Sequence, residues 1–150
     1  MARFKMTGLD ATIRQMKELG ELSGKFADKM LAAGAEEVKK AWKKAAQKHD
    51  LRLTGQMMDS IGYPRKPKEV NGIKTMDIYP QGNSTYTESD GKRIERAKPV
   101  RNAEVAFVQH YGTSSIPATH WVDTADELAE EPVARVMNEI WDEELRKRGM

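Results

Sequence analysis

The 150-residue chain contains no cysteine, which removes disulfides and thiolate metal sites from consideration. No apolar run approaches the roughly 18 residues that a membrane-spanning helix needs. No stretch follows the basic, apolar, small-residue order of a secretory signal. A soluble cytoplasmic product with no membrane partner is therefore expected. Aromatic residues are sparse, at 7%, and apolar residues of all kinds reach 39% against 32% charged. That is polar for a compact domain, and it implies long helices with much exposed surface or segments that order on assembly. Catalytic signatures are missing as well: there is no His-Glu-x-x-His, no glycine-rich phosphate loop and no nucleophile elbow. No enzyme and no cofactor are expected.

What is present begins with an imbalance of charge. The net charge is only +2, yet residues 1–70 carry a net +6 and residues 101–150 a net −5. A chain divided in this way suits stacking head to tail with copies of itself, or binding nucleic acid through its basic part. The alternative is two solvated helix faces of opposite sign.

Apolar residues at steps of three and four run from Leu9 through Ile13, Met16 and Leu19, then on through Phe26, Met30, Val38, Trp42 and Ala45. This is helical periodicity. Gly20, Gly24 and Gly34 interrupt it, each at a cost of up to about 1 kcal/mol against alanine, and it reads as two helices at about 9–19 and 23–49. The second carries Lys39, Lys40, Lys43, Lys44 and Lys48 around Trp42, which is either a phosphate-gripping face or a solvated one. A turn at Gly55 and a short helix with Met57, Met58 and Ile61 packed inward follow. Pro64 and Pro67 exclude a helix in the next stretch. Asn71-Gly72 is a hairpin signal between 62–70 and a strand at 73–79. Residues 80–91, rich in Gly, Ser, Thr, Asn and Asp, read as a long loop. It turns basic at Lys92, Arg93, Arg96 and Lys98.

The centre of the chain is Ala103 to Ala125. A short apolar run opens behind Asn102, a good N-cap residue, and closes at Gly112. Thr113 to Ser115 form a polar hinge. Trp121 then starts a long amphipathic helix with an acidic face, which Pro132 is expected to kink or restart. His110 and His120 flank the turn with Asp123 nearby. A metal or general-base reading needs a further ligand or a nucleophile at a recognisable spacing, and none is found; no metal site is assigned.

Taken together these motifs resemble the tail-completion or head–tail joining proteins of long-tailed phages, the gene-product-ten class of siphophage morphogenesis proteins. The resemblance rests on Gly8-Leu9-Asp10 at the first helix, then Thr54, Gly55, Met57, Ser60 and Ile61 in a Thr-Gly-x-Leu-x-x-Ser-Ile segment. Ala106, Tyr111, Gly112 and Thr113 follow the β region, and Pro117, Ala118, Trp121, Val122 and Ala125 precede the closing helix. His110 stands where that family has Glu, and His120-Trp121 where it has Pro-Phe. The resemblance implies a structural virion protein at the phage neck or the head-proximal end of the tail. It further implies a ring of copies, most naturally sixfold, with the tail terminator, tail tube and head–tail connector as neighbours, and with DNA passing nearby.

The expected fold is α+β in one domain over 1–150: helices over 9–49, a β-rich part with a long loop over 62–101, a junction at 102–120 and a closing helix over 121–147. The N-terminal helices and the long C-terminal helix would pack on a small, mostly antiparallel sheet, with Trp42, Trp121 and Trp141 in the core. The expected interface residues are Lys92, Arg93, Arg96, Lys98, His110, Tyr111, Gly112, Thr113, His120 and Trp121. Two other classes stand beside the structural one: a nucleic-acid-binding module using 39–48 and 92–98, and a small hydrolase using His110 and His120.

Overall fold

The computed structural model describes residue 17 and residues 23–51 and 54–149. Apart from Lys17, the helix expected over 9–19 lies outside the described residues. Two long helices dominate, α1 (Ser23–Lys48) and α4 (Trp121–Lys147). Between them run α2 (Gln56–Asp59), six strands, and α3 (Asn102–Tyr111). The strands are β1 (Ile61–Gly62), β2 (Lys68–Val70), β3 (Ile73–Thr75), β4 (Tyr79–Pro80), β5 (Asn83–Ser89) and β6 (Lys92–Arg101). The fold is α+β, with antiparallel pairs β1–β4, β2–β3 and β5–β6 in place of one continuous sheet.

The two long helices pack antiparallel. Phe26 meets Trp141 at one end, and Trp42 meets Trp121 edge-on at the other, with ring centroids 5.2 Å apart. Alanines line the seam, with Ala45, Ala46, Ala125 and Ala129 all buried, so the backbones approach closely. Gly34 continues this logic inside α1: a Cβ there would lie 2.5 Å from the Met137 Cε. Its helix-propensity cost of about 1 kcal/mol is set against that close packing. Pro132 lies within α4 without ending it, so the expected restart does not occur. On either side of the proline Ala129 is buried and Val133 packs near Gly34 of α1, and the helix continues across the missing hydrogen bond.

α1 stops by a Schellman arrangement. Leu51 N–H donates to the Ala46 carbonyl and Asp50 N–H to that of Gln47, with Asp50 in the left-handed region at φ 56°. Leu51 and Ala46 are both buried in the main cluster. That cluster adds Met57, Met58, Ile61, Ala106 and Trp121, so α2 and α3 close the core over the Trp121 end of the helix pair. Trp141 behaves otherwise than expected. It is 39% exposed, because it lies at the far end of the helix pair, where Phe26 covers only part of it.

The hairpin signal at Asn71-Gly72 joins β2 to β3, with φ of 53° and 77° at the two turn residues. The stretch 80–91 differs from the expected long loop, and the basic segment 92–98 is strand. Asp90 and Gly91, at φ 52° and 73°, make the same kind of two-residue turn and join β5 to β6. Asp-Gly supplies the positive φ that such turns require. The Ser, Thr and Asn residues before it lie on a largely exposed strand, so no apolar alternation marked it.

Two side-chain bonds fasten the β region to α1: Lys74 Nζ in β3 to Asp28 at 2.7 Å, and Tyr63 Oη, just after β1, to Glu36 at 2.7 Å. The Glu36 carboxylate, with some burial, raises the Tyr63 phenol above its ordinary pKa of 10.0. That contact therefore persists below pH 10 and weakens only as pH climbs through the raised value.

Candidate assembly surfaces

The junction after α3 is built by returning the chain onto the helix end. Gly112 N–H donates to the Val108 carbonyl, Thr119 N–H to that of Gln109, and His120 N–H to that of His110. Carbonyls that would end α3 unpaired are thus satisfied by the loop itself. The Thr113 hydroxyl accepts from the amides of Ser115 and Ile116, which shapes the hinge. Asn102 is not the N-cap. It is the first residue of α3, its Nδ2 donates to the Gln81 carbonyl, and its Oδ1 is buried with no partner among the described residues.

The return brings His110, His120 and Asp123 together, with candidate ligand atoms within 4.8 Å of one another. The hydrogen bonding disfavours a metal there. Val122 N–H points at His110 Nδ1 at 3.3 Å, which leaves the ring proton on Nε2 and no free lone pair for an ion; a ligating imidazole normally donates from its second nitrogen. The Thr119 hydroxyl beside them donates to the Gln109 carbonyl at 2.7 Å, so it is not paired with a base. His120 adopts φ 52° at the start of α4 and is exposed. Trp121, expected at an interface, is fully buried, with its indole N–H on the Ala106 carbonyl at 3.2 Å.

The expected basic cluster separates into two kinds of residue. Arg93 donates to the Thr54 carbonyl and lies over the Tyr86 ring, 5.2 Å from its centroid. Arg96 donates to the Tyr86 carbonyl. Both are occupied within the chain, whereas Lys92 and Lys98 on the same strand are exposed and have no ion-pair partner among the described residues.

Gln56 is a residue that sequence reasoning passed over. The pairing of β5 with β6 slips between Ser84 and Tyr86, which leaves strand amides without ladder partners. Gln56 Oε1 accepts from the amides of Thr85 and Tyr86, both at 2.9 Å, and from Ser84 Oγ, while its Nε2 donates to Thr85 Oγ1. One side chain thereby replaces the missing strand segment. Gln56→Ala is expected to lower stability by about 1–3 kcal/mol, since it strips partners from several polar groups. Gln56→Glu, which keeps the acceptor and loses the donor, is expected to fall between alanine and the parent in urea unfolding.

Two surfaces stand open. A groove of about 550 Å³ runs between the β5–β6 hairpin and α3, with Met57, Val100, Val105 and Val108 among its apolar walls and Glu88 and Arg96 among its polar ones. On another part of α3, Phe107 (61% exposed) stacks against Tyr111 (60%) beside exposed Tyr79. These rings rim a depression of about 220 Å³ that Trp42, Pro80 and Ala106 also line. Exposed aromatics clustered around an apolar hollow mark an interaction surface. Of these rings only Tyr111 was anticipated. Phe107 follows Ala106 in a run that reads as core by composition, and only the helix's orientation turns it outward.

A family model described as "Bacteriophage HK97-gp10, putative tail-component" matches residues 10–102. The matched span takes in α1, the Gln56 segment and all six strands, and ends at the first residue of α3. No curated protein and no solved structure matches the chain.

Proposed function

Because the chain belongs to the HK97-gp10-like family of phage tail components, and so acts as a structural protein of the virion, we propose that it completes the head-proximal end of the tail at its joint with the head. In this reading copies assemble into a ring, with sixfold symmetry as the natural match to a tail tube. The tail terminator, tail tube and head–tail connector are its neighbours. The observation that carries the reading is the exposed aromatic cluster of Phe107, Tyr111 and Tyr79 around an apolar hollow. Such a surface suits a protein–protein contact in an assembled particle better than a free monomer. The junction supports it from behind: its loop is closed by backbone bonds, so Tyr111, Gly112 and Thr113 are held in place where a partner would meet them.

The nucleic-acid alternative keeps the lysines of 39–48 but has less to draw on at 92–98 than the bare sequence implied. Of the four cations at 92–98, Arg93 and Arg96 are tied to carbonyls of their own chain. Lys92 and Lys98 remain for a neighbouring virion protein or for passing DNA. The hydrolase alternative drew on His110 and His120, and of these His110 Nδ1 already accepts from the Val122 amide.

Deleting the gene from its phage and imaging the lysate tests the proposal. DNA-filled heads beside detached or abnormal tails are the expected result. Intact, infectious particles would remove the joining role.

A further inference from the structure

The first turns of α4 carry five acids and no base over residues 121–131: Asp123, Asp126, Glu127, Glu130 and Glu131. All five are exposed. Their spacing of three and four places them on one face of the helix, where like charges repel one another. Among the described residues their one contact with a basic side chain is His120 Nδ1 to Asp123 at 4.0 Å. α1 carries the complement: Lys39, Lys40, Lys43, Lys44 and Lys48, with no acid between them. Lys40 alone among these has an ion pair among the described residues, with Glu37 at 3.4 Å.

The two stripes match in height and length. The His49–Thr124 hydrogen bond at 2.9 Å and the Trp42–Trp121 ring pair fix the helices so that both stripes lie at the same level. At about 1.5 Å per residue each spans roughly 12–14 Å. Yet no ion pair joins α1 to α4 among the described residues, so neither stripe neutralises the other within the chain.

We propose that a second copy of this chain covers the acidic stripe of α4 with the lysine stripe of its own α1. Where the two stripes of one copy engage two different neighbours, the contact repeats from copy to copy and generates a closed ring or an open filament. Opposed stripes would set both register and partner choice. This inference rests on the self-assembly in the proposed function and names the surfaces that would make it.

The test is the oligomeric state of the full chain by sedimentation at low and high salt, with two charge-reversed variants. One is Lys40→Glu, Lys43→Glu, Lys44→Glu; the other is Asp126→Lys, Glu127→Lys, Glu130→Lys. Each alone is expected to raise the concentration at half-association by about tenfold or more, with a larger effect at low salt. Combining both sets in one chain, or mixing the two variants, is expected to restore association, which also shows that the reversed chains fold. Reversed chains that associate like the parent would overturn this contact and leave the ring reading standing. A parent chain that stays monomeric at every concentration would overturn both. Loss without rescue would overturn the stripe pairing, as would an α1 reversal that abolishes binding of duplex DNA and leaves association unchanged.

Discussion

Replacing Gly112 by alanine is expected to destabilise the protein by about 3 kcal/mol or more, through a backbone conformation that other residues adopt only at a cost of about 1–3 kcal/mol. Gly112 has φ 76° and ψ 177°. A Cβ built there would lie 2.7 Å from both the Ala118 nitrogen and the Ile116 oxygen. Those are backbone atoms held by the loop's own hydrogen bonds, so they cannot swing aside as a side chain would. The loop would have to open, releasing the Thr119 and His120 amides from the end of α3. Gly72→Ala is the control. That glycine also has positive φ, 77°, but nothing within 4 Å of an added Cβ, so only the dihedral cost of about 1–2 kcal/mol applies. Urea unfolding midpoints of the two variants measure the difference. Equal losses would mean that the junction is not closely packed around Gly112.

Trp121→Ala is expected to cost about 3–5 kcal/mol, the range for emptying a large buried aromatic site. Trp121 is fully buried, meets Trp42 edge-on, and anchors its indole N–H on the Ala106 carbonyl. It is therefore the piece that joins α1, α3 and α4. Against a typical total of about 5–15 kcal/mol for a domain, that loss leaves little. Trp121→Phe separates the contributions, since it keeps most of the packing and loses the hydrogen bond, worth about 1 kcal/mol. Thermal unfolding followed by circular dichroism reads both. A Trp121→Ala chain as stable as the parent would show that the helix pair does not depend on this contact.

Legibility followed the range of the interaction responsible. Asn71-Gly72 announced its hairpin because the turn's positive φ is a local demand that two adjacent residues satisfy. Asp90-Gly91 made the same demand, but it ended a polar stretch whose strand is exposed, and period-two alternation of apolar residues had nothing to act on. The long helices were readable because their apolar residues recur at three and four. The cationic cluster was legible as a basic stretch, but not which of its side chains are tied down within the chain. Which arginines are free depends on Thr54 and Tyr86, carbonyls that lie 39 and 10 residues away from Arg93 and Arg96.

By itself the sequence determined the absence of disulfides, the two long helices and the split of charge between chain halves. It also determined the glycine that closes α3, and the ordered motifs that tie the chain to phage tail components. These are properties of composition and of neighbours within one or two helical turns. Tertiary structure alone decided that Trp121 is core and Trp141 is not, that Phe107 faces outward, that Gln56 completes a broken strand pair, and that His110 gives its lone pair to Val122. Each of those outcomes depends on what a side chain meets across the fold, and residue spacing carries no information about that.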